Sequence, residues 1–181
     1  AQKAKELDIL TIAIVTVPFS FEGKKRMQQA QLGIENMKQH VDSLIVINND
    51  RLIQIYGKLG FKTGFAKSDE VLTVAAKGIS EVITVKAQVN IDLNDARTVL
   101  KNSGTAIMGS AKASGENRAL NAIKEALDSP LLNLNTIRGA DKVLLLLMSG
   151  SDEITFDEIG EINNHIQNES GGDVDIIMGV G

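Results

Sequence analysis

The spacing of apolar positions changes period several times along the chain, and each change marks a new element. Residues Ile9 to Val17, ILTIAIVTV, are apolar almost throughout, the pattern of a strand buried on both faces. In KKRMQQAQLGIENMKQHV the period lengthens. Met27, Ala30, Ile34, Met37 and Val41 recur at spacings of three and four, as one face of an amphipathic helix does. SLIVI, Ser43 to Ile47, is again a buried-type strand. A strand, a helix and a second strand, both strands apolar, form a βαβ unit of a parallel sheet.

The segment SDEVLTVAAKGISEVIT predicts a second helix, with Ser68 as N-cap and acids in its first turn. Val71, Ala75, Ile79 and Val82 line one face, and Leu72, Ala76 and Ile83 widen the stripe. A stripe that wide fits a connector touched on more than one side by two packed units. Further on, a helix is predicted over roughly Asn94 to Asn102, and TAIMGSA reads as a strand. NRALNAIKEALDS is a helix that Pro130 prevents from continuing, and KVLLLLMSG is a strand. TFDEIGEINNHIQNES opens on a capping box, Thr155 with Glu158, and closes at Gly171 and Gly172. DVDIIMGV is a last strand. Strands alternating with helices put the chain in the α/β class. The opening residues AQKAKELD read like the tail of a helix entering the first strand, so the sequence is expected to begin inside a domain.

Composition narrows the function classes. Cysteine is absent, which removes disulfides, thiolate catalysis and Cys-ligated zinc. The longest apolar run, VLLLLM, has six residues where a membrane span needs about 20, and no signal-peptide pattern opens the chain, so a cytoplasmic protein without direct membrane insertion is expected. The net charge of −4 conceals an asymmetry. Residues 1–90 carry 12 Lys and Arg against 9 Asp and Glu, and residues 91–181 carry 7 against 14. A positive end and a negative end suit head-to-tail self-association. One Tyr, five Phe and no Trp leave little stacking surface beside the basic residues, which argues against nucleic acid as a partner.

Several polar groups invite a chemical reading, and each has an ordinary structural one. His40 and His165 stand alone, without carboxylates at metal-ligand spacing, and read as structural. Asp152, Glu153, Asp157, Glu158 and Glu161 crowd a helix start and read as capping residues. GSAKASGEN has small residues before a helix but lacks the order of a phosphate loop. PFSFEGKKRM follows a parallel strand, placing Glu22 and Arg26 at the carboxyl edge of the sheet where α/β proteins bind ligands. In VNIDLNDARTVL, Asp92 fits an N-cap, Asp95 the first turn and Asn90 the adjoining turn; on the pattern alone this structural reading leads, with catalysis by the two carboxylates as the alternative.

Two long blocks carry a family resemblance. LTIAIVTVPFSFEGKKRMQQAQLGIENMKQHVDSLIVINNDRL and VNIDLNDARTVLKNSGTAIMGSAKASGENRA resemble the corresponding stretches of FtsZ, the bacterial tubulin-like family, and the likeness runs from about Lys5 to Gly181. The resemblance implies a tubulin/FtsZ-like fold: residues 1–64 as part of a GTPase domain, 65–87 as the central helix, and 88–181 as a C-terminal α/β domain with a mixed sheet flanked by helices. It implies GTP or GDP, with Mg, as the ligand. Glu22 and Arg26 match positions contacting ribose and phosphates. Phe65 and Asp69 match those that stack on and hydrogen-bond guanine, and Asn49 joins that set. Asn90, Asp92 and Asp95 match the synergy loop, whose carboxylates activate water at the nucleotide of the next subunit. The implied partners are further copies, head to tail, and accessory proteins of a division ring in the cytoplasm.

The sequence also departs from the family pattern. A Gly-rich loop of the form GGGTGTG is expected upstream of Ala1, and without it the 181 residues alone are expected neither to hold GTP tightly nor to hydrolyse it. TVKAQV precedes Asn90 where many relatives have a Pro-Gly turn. A non-enzymatic assembly or regulatory module of the same fold is the competing expectation, and an unrelated α/β small-molecule binder a third.

Overall fold

The computed structural model describes residues 1–129 and 137–181. Two parallel pairings organise them. Strands β1 (Ile12–Val17) and β2 (Ser43–Asn48) run side by side in register, Ile12 beside Ser43 and Val17 beside Asn48. The short β3 (Gly104–Ala106) adds to the far side of β2, also parallel, giving the order β1-β2-β3. Strands β4 (Lys142–Leu147) and β5 (Asp175–Val180) form a second parallel pair, and Val89 joins β5 through an antiparallel bridge to Val180, which makes this second sheet mixed. The class is α/β, as the alternating pattern requires.

Seven helices connect and cover the strands among the described residues: α1 (Gln2–Glu6), α2 (Lys24–Lys38), α3 (Asn49–Tyr56), α4 (Phe61–Thr84), α5 (Leu93–Leu100), α6 (Arg118–Leu127) and α7 (Phe156–Ser170). Helices α2 and α4 both pack on β1, which explains why that strand needs no polar face. The first core joins Ile45, Ile47 and Leu52 to Val71 and Ala75 of α4, with Ile14, Leu72, Ile79 and Met108 around them. The wide stripe of α4 is thus used on both sides, by β2 and by the segment after β3. In the second core Ile162 and Ile166 of α7 meet Ala119 and Ile123 of α6 over Val143, Leu145 and Leu147 of β4.

Two expectations change. Helix α4 starts at Phe61, not after Ser68. Ser68 is buried in its interior, its hydroxyl donating to Asn49 Oδ1 at 2.7 Å, so the group read as a cap is engaged in a tertiary bond instead. TAIMGSA is a strand only as far as Ala106, because the following residues leave the ladder to pack on helices. Met108 lies against Gly78 of α4, and the backbone of Gly109 sits on the Ala126 carbonyl at the end of α6. Helix α3 was not foreseen at all. Its cap is Asn48, whose side chain accepts from the Asp50 N–H.

The capping box of α7 is present and extended. Glu158 accepts from the Thr155 N–H at 2.8 Å and from Arg118 Nε at 2.6 Å, while the same guanidinium donates to the carbonyls of Asp152 and Glu153. Arg118 first, then the Thr155 N–H, hold the Glu158 carboxyl down at about 2. A lowered carboxyl stabilises the folded state above the ordinary value near 4.5, and that stabilisation is lost as pH falls towards 2. The melting-temperature gap between the wild type and Glu158→Gln is therefore expected to stay level from pH 6 to about pH 5 and to narrow from there towards pH 2 in a thermal-melt series. At Gly109, a Cβ would overlap the Ala126 carbonyl, which is main chain and cannot rotate away. Gly109→Ala is expected to cost about 1–3 kcal/mol by denaturant unfolding, whereas Gly150→Ala, which has open space, should be close to neutral.

Candidate functional site

The residues singled out for ligand chemistry fall into two groups, and α4 lies between them. The first group gathers where β1 and β2 end. Past Val17 the chain makes one 3-10 turn, Ser20–Glu22, before α2. Glu22 closes this turn by accepting from the Phe19 N–H at 3.0 Å, and its other oxygen accepts from Arg26 Nη1 at 2.9 Å. The carboxylate is largely shielded and the guanidinium is 69% exposed, so Glu22 orients an Arg26 whose remaining N–H groups face outwards.

The turn after β2 meets the turn after β1. Asp50 accepts from the Ser20 N–H at 3.0 Å and also from the Ser20 hydroxyl. Asn49 is buried, and through Ser68 it is tied to the second turn of α4. Along that helix Phe61, Phe65 and Asp69 stand four residues apart, on one face. The ring of Phe65 meets Phe61 at 5.0 Å and packs edge-on to Phe19 at 5.2 Å, while Phe21 stacks on Phe19 at 5.2 Å. Phe21 and Phe61 stay mainly in solvent. Asp69 is exposed, and among the described residues its carboxylate accepts no hydrogen bond.

Glu22, Arg26, Asn49, Phe65 and Asp69 are therefore neighbours at one edge, although they come from three separate stretches. An aromatic face beside a free carboxylate suits a flat base: the ring can stack, and a carboxylate accepts from two adjacent N–H groups of guanine. Arg26 adds a cation for phosphate or ribose oxygens. The donor set fits a guanine nucleotide. Sequence reasoning missed Ser20 and Asp50, which lock the two turns together, and Phe21 and Phe61, which widen the aromatic surface. The visible signal for Asp50 was its place in INNDRL, just past a parallel strand.

The second group lies beyond the other end of α4. Asn90 accepts from the Ala87 N–H at 2.8 Å and shapes the turn. Val89 is fixed to Val180, and Ile91 is buried over Gly179, where a larger residue would crowd it. Asp92 then caps α5, accepting from the Asp95 N–H at 2.7 Å, and Asp95 returns the bond by accepting from the Asp92 N–H at 3.0 Å. The two acids form a reciprocal capping box. Each bond uses one carboxylate oxygen, and among the described residues the other oxygen of each acid accepts none. Capping has thus fixed the direction of both carboxylates without using them up.

His40 Nδ1 pairs with the Asn36 carbonyl at 2.7 Å just past the end of α2, a local contact within one turn. Of the acids around residue 152, the Glu158 carboxylate pairs with Arg118, which also donates to the main-chain carbonyls of Asp152 and Glu153. Among the described residues no cluster of three or more His, Cys, Asp or Glu could hold a metal ion unaided.

Comparison with known proteins identifies the family and the fold. The family model described as the Tubulin/FtsZ family, GTPase domain, matches residues 1–57, and the FtsZ family, C-terminal domain, matches residues 104–181. The cell division protein FtsZ of Porphyromonas gingivalis is 47% identical over 161 residues, 88% of this chain and 35% of that protein. The empty FtsZ dimer of M. jannaschii superposes with a TM-score of 0.88 at 38% identity, covering 99% of this chain and 52% of that one. CetZ1 from Haloferax volcanii, a GDP-bound monomer, shares the fold at 18% identity with a TM-score of 0.78. The chain spans about a third of the curated relative and about half of the solved chains. With both domain matches in chain order and this identity along most of its residues, the chain belongs to the FtsZ family.

Proposed function

We propose that the chain serves a tubulin-like GTPase that polymerises head to tail at the division site in the cytoplasm, and that it contributes half of a hydrolysis site at each of its two ends. The observation that carries this reading is the separation of the two groups. Helix α4 has 24 residues and is about 36 Å long, and from Phe65 to its end about 28 Å of helix separates the guanine-type edge from the acidic loop. Neither group can reach the other within one molecule. Each can meet its complement only on another copy stacked in the same orientation, the heterologous contact that generates open filaments.

In this reading Phe65 stacks on guanine, Asp69 and Asn49 hydrogen-bond its edge, and Glu22 holds Arg26 towards ribose and phosphates. Asp92 and Asp95 of the next copy face the γ-phosphate. Their free oxygens accept from a water and orient it for in-line attack, while Asn90 keeps the loop in shape. Phosphoryl transfer is catalysed mainly by positioning and electrostatics, which is what two carboxylates fixed by a capping box supply. Magnesium would enter with the nucleotide's phosphates and neutralise the charge developing on them. Residues 88–181 act as the polymer-contacting part, and division-ring accessory proteins are the further partners.

In the complete protein, Asp95→Ala is expected to lower GTP turnover by about 100-fold while the affinity for GTP, read by fluorescent-nucleotide titration, stays within about twofold of wild type. Asp69→Ala is expected to do the reverse first, weakening nucleotide binding. A large loss of affinity in Asp95→Ala would place that carboxylate on the molecule's own nucleotide and contradict the reading.

A further inference from the structure

We propose that Asp8 is a positioning residue for the hydrolysis site, a latch that holds the acid-bearing helix α5 against the segment entering β1. The inference rests on the role proposed for Asp92 and Asp95. Asp8 has left-handed backbone geometry, φ 56°, between α1 and β1. That turn presents its main-chain carbonyl and its carboxylate to the same neighbour. Arg97 Nη2 donates to the carbonyl at 2.6 Å and pairs with the carboxylate at 2.5 Å, and Lys101 Nζ pairs with the other carboxylate oxygen at 2.8 Å. Lys101 and Arg97 together hold the Asp8 carboxyl below its ordinary value.

Helix α5 has reason to need such a hold. It is eight residues long and buries only Ala96, so its apolar contacts fix its direction poorly. Arg97 and Lys101 lie one turn apart on one side, facing Asp8. A second polar tie comes from β4, where Lys142 Nζ donates to the Thr98 carbonyl at 2.9 Å. The helix is therefore braced from both sheets. Arg97 is five residues from Asp92 and two from Asp95, so a tilt of α5 about its buried Ala96 would carry both carboxylates off their line. Misplacement of about 1 Å is enough to slow a positioned reaction.

The test is kinetic, in the complete protein. Asp8→Asn keeps a residue at ease in the left-handed region and keeps the main-chain carbonyl, but removes the charge. Its kcat for GTP is expected to fall by about two- to fivefold, with KM and nucleotide affinity unchanged. Arg97→Gln should do the same, and the loss in the double variant should fall short of the product of the two single losses, because both break the Arg97–Asp8 carboxylate pair. A wild-type kcat in Asp8→Asn, losses that multiply in the double variant, or a parallel loss of nucleotide affinity would each overturn the latch. Asp95→Ala in the same assay separates the two levels of the claim. If it abolishes turnover while Asp8→Asn is silent, the latch alone fails; if it leaves turnover intact, the assignment of the acids fails and the latch with it.

Discussion

The length and rigidity of α4 govern the rest of the molecule. Its buried stripe, Val71 and Ala75 against Ile45, Ile47 and Leu52, joins the helix to β2, the central strand of the first sheet. Residues at its start are thereby set beside the turns that follow β1 and β2, and residues past its end are set beside β5. A helix packed along its length does not bend to bring those ends together. Distance enforced by an apolar seam thus keeps two sets of polar residues apart, as the proposal of two half-sites requires.

In both groups of polar residues the same side chains serve the fold and keep atoms free for a ligand. Glu22 closes a 3-10 turn and directs Arg26. Asp92 and Asp95 close the N-terminal capping box of α5 with one oxygen each. Asn49 anchors α4 by accepting from Ser68, one position before Asp69. Fixing a functional group by a local structural bond limits the conformations that a ligand must otherwise select.

Much of this was legible from the chain. The period of the apolar residues located the βαβ unit, and the capping signatures at Thr155 and Asp92 were local enough to be read directly and are present in the structure. Ser68 misled because a good N-cap residue also makes a good buried donor, and only the partner, Asn49, decides between the two. TAIMGSA misled because strand propensity cannot register that Gly109 must lie flat on the end of α6. The neighbourhood of Glu22, Asn49, Phe65 and Asp69 was not visible in spacing at all; it was implied by family likeness, and the structure brings the residues together through parallel pairing of β1 and β2. Asp8 and Arg97, 89 positions apart, gave no sequence signal of their contact.

The central claim is that catalysis is shared between copies, and mixing two crippled forms tests it most directly. Asp95→Ala keeps the nucleotide edge but lacks the acid; Asp69→Ala keeps the acid but has a damaged edge. If hydrolysis occurs at the junction of two copies, an equal mixture of the complete proteins places an intact edge against an intact acid at about one junction in four, and GTP turnover should rise well above the mean of the two separate proteins. Turnover equal to that mean at every mixing ratio would show that each molecule completes its own site, and would contradict the account.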